Sequence, residues 1–229
     1  MKSILLIGLG RFGSYMAQKL QLLGHDVLAV DKNEERVNAV LPYVTDAQIG
    51  DVADEAFMRT LGARNFDLCV VAIGDDFESS LEATALLKDN GAPFVLSRAA
   101  TDLHARLLLR NGADQIIYPV KLAADYAAVR YTTDHVLEYM ALSEDYSLCE
   151  VSCPQEWIGK SIIALEVRSR YHINIVATKS GGKLSSMPAP DYVFRGNETL
   201  LVMGHNKDLR KFLHLAFRFR RLTERRSRR

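Results

Sequence analysis

The sequence predicts an α/β protein: a doubly wound, six-strand parallel sheet, then a helical crossover and a small α+β domain. Three observations predict it. Short apolar runs alternate with amphipathic helical stretches as far as residue 118. A glycine-rich turn, Gly8-Leu9-Gly10-Arg11-Phe12-Gly13, follows the first apolar run. After Ser147 the rhythm changes to short strands separated by turn signals.

Strand-like runs occupy residues 3–7, 27–30, 47–49, 68–73, 94–96 and 115–117. Helical patterns between them cover 13–23, 34–41, 54–61, 79–89 and 102–110. Gly24, Gly62, Gly91 and Gly112 stand just past four of these helices, where a left-handed C-cap is required. Residues 121–141 read as helix. Leu122, Tyr126, Val129, Val136, Leu137 and Met140 form its apolar face, and Thr132-Thr133-Asp134 gives a break and a new cap. With no sheet left to cover, this segment is expected to pack on a second domain or subunit. Further strands are expected at 148–151, 173–177, 184–186 and 199–203, with helices at 161–170 and 207–215. The domains are therefore 1–118, the crossover 119–141, 142–215 and a basic tail 216–229.

The first turn has the spacing of a Rossmann nucleotide site. Gly8 allows the tight turn, Gly10 lets the backbone approach a diphosphate, and Gly13 lets the helix pack on the strand. The helix N-terminus offers unpaired N–H groups to phosphate. Asp31 closes the second strand 18 residues after Gly13, where a carboxylate accepts from both ribose hydroxyls and disfavours a 2′-phosphate. These residues predict an adenine nucleotide, bound where the strand order reverses.

Composition bounds the alternatives. A hydrophobic fraction of 48% with 25% charged residues is that of an ordinary globular protein. No apolar run approaches the ~20 residues of a membrane span. The apolar stretch before Gly8 is only four residues long, so a signal peptide is not expected. The net charge of +1 hides seven arginines and one glutamate in residues 216–229, which leaves −5 for the rest. That acidic body argues against nucleic acid as a partner. Cys69, Cys149 and Cys153 lack metal spacing and are expected as reduced thiols, and the six histidines show neither metal spacing nor a nucleophile–base pair.

Residues 1–215 closely resemble the RCK (KTN, or TrkA-type) regulatory subunits of bacterial Ktr and Trk potassium-uptake systems. The resemblance rests on IGLGRFG (residues 7–13), LAVDKNEERVN (28–38), Gly50-Asp51, VVAIGDD (70–76), Arg98 and GADQIIYP (112–119). In the second half it rests on SIIALEVRSRYHINIVA (161–177), Pro188 with Pro190, and LLVMGHNKDLRKF (200–212). It implies a sensor rather than an enzyme. Dimers assemble through the crossover helices into an octameric ring beneath an integral-membrane potassium-transporting subunit. The location is cytoplasmic, peripheral at the inner membrane face. ATP and ADP, with NAD or NADH also possible ligands, hold different ring shapes, and cyclic di-AMP inhibits through the second domain.

The candidate nucleotide residues are Gly8, Gly10, Arg11, Phe12, Gly13, Asp31, Lys32, Asn33, Asp51, Val52, Ala72, Ile73, Gly74 and Arg98. Arg11 is either solvated or, as the resemblance implies, reaches phosphate across a subunit boundary. Asp51 is placed to accept from the adenine amino group, and Ala72, Ile73 and Gly74 to floor the purine. Arg98 either adds phosphate charge or forms a structural ion pair. Lys32 and Asn33 line the ribose, unless Asn33 is a helix cap. The resemblance alone assigns Ile163, Arg168, Asn174, Ile175 and Pro190 to a cyclic di-AMP pocket. It also exposes a departure. Relatives carry a cation-binding glutamate after the proline ending the sixth strand, whereas Val120 and Lys121 stand here and offer no oxygen ligand.

The competing enzyme class is an NAD-dependent oxidoreductase, which the Rossmann half alone would favour. The second domain is too small for its substrate domain, and no His or Lys pair suits hydride chemistry. A third class is an RCK regulator of another ion channel. The tail holds seven arginines beside Phe217 and Phe219, and is expected to be disordered alone and either to favour anionic lipid or to be a solvated tail without function.

Overall fold

The computed structural model describes residues 1–216 as two compact units, 1–122 and 123 onward. In the first, β1 (Ser3–Ile7), β2 (Asp26–Asp31), β3 (Asp46–Ile49), β4 (Leu68–Val71), β5 (Val95–Arg98) and β6 (Gln115–Ile117) form one parallel sheet. The strand order β3-β2-β1-β4-β5-β6 reverses between β1 and β4, as the alternation of elements predicts. Helices α1 (Arg11–Leu22), α2 (Glu34–Val40), α3 (Glu55–Thr60), α4 (Phe77–Asp89) and α5 (Asp102–Arg110) connect the strands.

The strands are apolar on both faces because both are covered. Leu5, Ile7, Val30 and Val71 pack with Met58, Ala83 and Leu87 on one side. Ile4, Leu6, Ala29 and Val70 pack with Ala17, Leu20, Val37 and Val40 on the other. Side-chain caps start four of the five helices: Asn33 accepts from Arg36 N, Asp54 from Ala56 N, Asp76 from Ser79 N and Thr101 from His104 N. All four glycine stops adopt positive φ, from 64° at Gly62 to 104° at Gly112.

Helix α6 (Pro119–Thr132) follows, and none of its residues is buried. The second unit holds an antiparallel sheet ordered β10-β9-β11-β8-β7. Its strands are β7 (Val136–Ala141), β8 (Tyr146–Ser152), β9 (Ile173–Ser180), β10 (Lys183–Ser186) and β11 (Glu198–His205). Two short helical elements, α7 (Val167–Tyr171) and α8 (Asn206–Ala216), complete it. Trp157 is the centre of its core, with ring centroids 5.2 Å from Phe194, 5.4 Å from Phe212 and 5.5 Å from Tyr171.

Two helical expectations are corrected. The crossover stays helical only to Thr132; Val136–Ala141 is a strand pairing with β8, so Val136, Leu137 and Met140 lie on β7. The expected helix at 161–170 shrinks to α7. Ser161 instead bridges Val193, and Ile163 N donates to Pro190 O at 2.8 Å, which holds this stretch against another segment. The expected tail behaviour concerns residues outside those described.

Candidate nucleotide cleft

The site is built where β1 and β4 diverge. Gly8 follows β1 with φ +91°, and its N–H donates to Val30 O at 2.8 Å. A Cβ there would lie 2.8 Å from Ile73 Cγ1, and a Cβ on Gly13 would lie 1.9 Å from Gly8 O. Both positions therefore require glycine, one for its dihedral and both for close packing. The chain then enters α1 at Gly10, which has extended backbone and no side-chain cap, so the first N–H groups of the helix are open to a ligand.

Asp31, 7% exposed, ends β2 beneath this turn. Its Oδ2 accepts from Leu9 N at 2.6 Å and its Oδ1 from Asn33 N at 2.8 Å. The guanidinium of Arg36 lies 3.7 Å from Oδ2. An ionised carboxylate has about four lone-pair sites, so two acceptor positions remain for ribose hydroxyls. The backbone bonds fix the carboxylate's orientation before any ligand arrives.

At the opposite end stands Arg98, the last residue of β5. Its guanidinium carbon lies 6.0 Å from the Phe12 ring centroid, and Nη2 lies 3.8 Å from the freely exposed Asp75. Its Nε is buried without a hydrogen-bond partner. A Cβ on Gly74 would fall 2.5 Å from Arg98 Cζ, so the missing side chain at Gly74 gives the guanidinium its space. A cation held this way, with a donor unspent, is poised for an anion.

Between these ends is a cleft of about 330 Å³. Of the expected residues, Gly8, Gly10, Asp31, Lys32, Asp51, Val52, Ala72, Ile73, Gly74 and Arg98 line it. Gly13, Phe12 and Asn33 do not. Gly13 packs under the turn, Phe12 backs Arg98, and Asn33 caps α2 through Arg36 N. Arg11 is exposed at the start of α1, outside the cleft lining. Ile7, Val30, Arg36, Gly50, Asp75, Asp76 and Ser79 also line the cleft and were not expected as site residues. Asp76 and Ser79 carry a readable signal, since the DxxS pattern after the fourth strand is a helix N-cap. Ser79 donates to Asp76 from both N and Oγ, which holds that carboxyl below its usual range. Arg36 has no such signal; one turn of α2 carries it back over Asp31.

In the second unit, Ile163 and Pro190 are neighbours through the Ile163 N–Pro190 O bond. Asn174 and Ile175 sit on β9 opposite Met203 and Val202, and Arg168 is exposed on α7. Val120 is 73% exposed, and Lys121 Nζ lies 3.8 Å from Asp102 Oδ1. Burial pushes the three free cysteines up, Cys69 and Cys153 to about 12 and Cys149 to about 11, so none is a thiolate nucleophile near neutrality.

A glycine turn, an acid closing the second strand and a small antiparallel domain together define a two-unit protein with a Rossmann-type nucleotide cleft. The TrkA-N domain model matches residues 4–119 and the TrkA-C domain model residues 150–216. The chain is 40% identical over 211 residues to the Ktr system potassium uptake protein A of Bacillus subtilis (strain 168), covering 92% of this chain and 95% of that protein. Against the Ktr system potassium uptake protein C of the same organism it is 36% identical, covering 92% and 96%. The chain belongs to this TrkA/Ktr family of potassium uptake proteins. Its fold is that of the GsuK RCK domain, with a TM-score of 0.66 at 17% identity, covering 94% of this chain and 48% of that one.

Proposed function

We propose that this chain is a non-catalytic, nucleotide-sensing regulatory subunit of a potassium-uptake system, with ATP or ADP as the ligand of the cleft. The observation that carries the reading is the pairing, in one cleft, of a buried oriented carboxylate, Asp31, with the unspent donor of Arg98 across a glycine turn. Asp31 takes the ribose, Lys32 flanks it, and Asp51 accepts from the adenine amino group over the floor of Ala72 and Ile73. The N-terminus of α1 and Arg98 neutralise the phosphates. NAD or NADH shares the adenosine diphosphate portion and competes for the same place.

The names of the relatives supply the ion, potassium. The partner is then an integral-membrane transporting subunit, met at the cytoplasmic face, and copies of this chain pair around α6 and close into an octameric ring. Arg11, outside its own cleft, serves the phosphate of a neighbouring subunit. Only a difference in affinity for the two nucleotides between two ring shapes can move the equilibrium. Moving it from 1:99 to 99:1 needs about 5.5 kcal/mol. One charged hydrogen bond gives about 1.5–3 kcal/mol, so several sites must act together, which is what a ring provides.

The second unit favours a further ligand at one point. The Ile163 N–Pro190 O bond joins two residues distant in sequence that belong to the cyclic di-AMP set with Arg168, Asn174 and Ile175. A two-fold symmetric ligand suits a two-fold interface, with Arg168 presented once to each half. Titration calorimetry tests both ligands. Micromolar or tighter binding of ATP and ADP with clearly weaker NADP⁺ is expected. Failure to bind ATP, or a preference for NADP⁺, overturns the first reading. Unchanged cyclic di-AMP binding by Arg168→Ala overturns the second.

A further inference from the structure

The ribose end of the cleft holds a charge pair whose second member has no part in binding ribose. Three cations line the cleft among the described residues: Lys32, Arg36 and Arg98. Arg98 Nη2 lies 3.8 Å from Asp75, and Lys32 Nζ lies 3.9 Å from Asp76 Oδ2. Both thus have a charged partner on the stretch that follows β4. Arg36 alone turns to the ribose carboxylate, with Nη1 3.7 Å from Asp31 Oδ2.

Asp31 does not need Arg36 to be held in place. Leu9 N and Asn33 N already donate to its two oxygens at 2.6 and 2.8 Å. Nor does Asp31 hold Arg36 tightly. A separation of 3.7 Å exceeds hydrogen-bond length and 56% of the arginine side chain is exposed, so its fork of donors is available. Local preference does not place a cation there either. Arg36 sits in the first turn of α2, where Asn33 accepts from its N–H at 3.0 Å. Unlike its neighbours Glu34 and Glu35, a cation in that turn opposes the helix dipole.

A ribose hydroxyl bound to Asp31 therefore comes close to a guanidinium with donors to offer. A phosphate at the 2′ position would be repelled by Asp31 and attracted by Arg36, whose fork matches phosphate oxygens. The two side chains oppose each other over one position of the ligand. We propose that Arg36 is a specificity-determining residue of the cleft, setting with Asp31 the choice between a 2′-hydroxyl and a 2′-phosphate nucleotide. This rests on the nucleotide reading of the cleft. Asp31 gives the preference for the hydroxyl, and Arg36 limits it, so a 2′-phosphate is rejected less strongly than by a lone carboxylate.

Titration calorimetry of the full chain with ADP, AMP and adenosine 2′,5′-bisphosphate tests it, since the last two differ only in the 2′-phosphate. Wild type should prefer AMP. Arg36→Gln is expected to widen that preference about tenfold, the loss of one charge-assisted contact at a part-exposed site. AMP affinity itself should change by less than about fivefold, as for an exposed ion pair. Arg36→Lys, which keeps the charge but not the fork, should fall between. Asp31→Ser should invert the preference, and adding Arg36→Gln to it should remove the inversion. Equal weakening of both ligands by Arg36→Gln would make it a support for Asp31 and overturn the proposal. An unmoved preference, or a larger effect of Lys32→Gln, overturns it as well. If wild type does not bind ADP, the nucleotide reading fails and this proposal with it; ADP binding with an unmoved preference rejects the role of Arg36 alone. Should Asp31→Ser misfold, the Arg36 variants decide by themselves.

Discussion

Arg98 concentrates the chemistry of the cleft in one side chain. Phe12 backs it, Gly74 makes room for it, and burial leaves its Nε without a partner. Arg98→Ala is expected to weaken ADP binding by about 10- to 100-fold, as the loss of a charged hydrogen bond of about 1.5–3 kcal/mol implies. Adenosine, which lacks phosphate, should bind as before. Gly74→Ala should imitate the loss by driving a methyl group into the guanidinium. Calorimetry with both ligands measures this, and an equal loss for adenosine would assign Arg98 to the framework instead. In the second unit the comparable residue is Glu198, a buried carboxylate that accepts from Tyr192 Oη and from Arg195 N. Tyr192→Phe removes one charged bond and is expected to cost about 1.5–3 kcal/mol in urea unfolding of the C-terminal unit. A midpoint unchanged from wild type would mean that water replaces the hydroxyl.

The elements owe their positions to glycines used for different reasons. At Gly24, φ is +74° but nothing lies within 4 Å of an added Cβ. Gly24→Ala should therefore cost only the left-handed strain, about 1–2 kcal/mol, and leave nucleotide affinity alone. At Gly13 the added Cβ would meet Gly8 O at 1.9 Å. Gly13→Ala must push α1 away from the turn, at about 1–3 kcal/mol of overpacking, and should also abolish ADP binding. Measuring stability and affinity on both variants separates backbone strain from site geometry. Equal ADP affinity in the two would show that α1 can shift without opening the site.

On the scale of the whole molecule, each unit has its own core, so acid should act on them separately. His104 is buried in the first unit; its Nδ1 accepts from Ala100 N, and desolvation lowers its pKa below the ordinary 6.5. The unfolded chain then binds the proton more readily than the folded one. The stability this contributes is complete above pH ~6.5 and is lost as pH falls through that value toward the lower folded one. Urea midpoints of the N-terminal unit should fall between pH 7.5 and 5.5, and His104→Gln should flatten that dependence. A slope unchanged in the variant would put the titration elsewhere.

Much of this was readable in order along the chain. The turn from Gly8 to Gly13, the acid at Asp31, the four glycine stops and the strand–helix alternation are local signals, each tied to a dihedral or a period. Chirality of the parallel connections converts them into one sheet order. What stayed illegible depends on partners distant in sequence. Val136, Leu137 and Met140 fit a helical face as well as a strand, and pairing with β8 decided for the strand. Residues 161–166 hold a helical pattern, yet the bonds to Val193 and Pro190 claim their backbone. Arg36, Asp76 and Ser79 reach the cleft only because three strand ends meet there, and the space for Arg98 exists because Gly74 and Phe12 flank it. The sequence by itself determined the sheet and the ends of its helices, because those follow from interactions a few residues apart. The choice between helix and strand in the ambiguous stretches, and the full set of cleft residues, were decided by tertiary structure, because hydrogen bonds and packing across the fold outweigh local preference there.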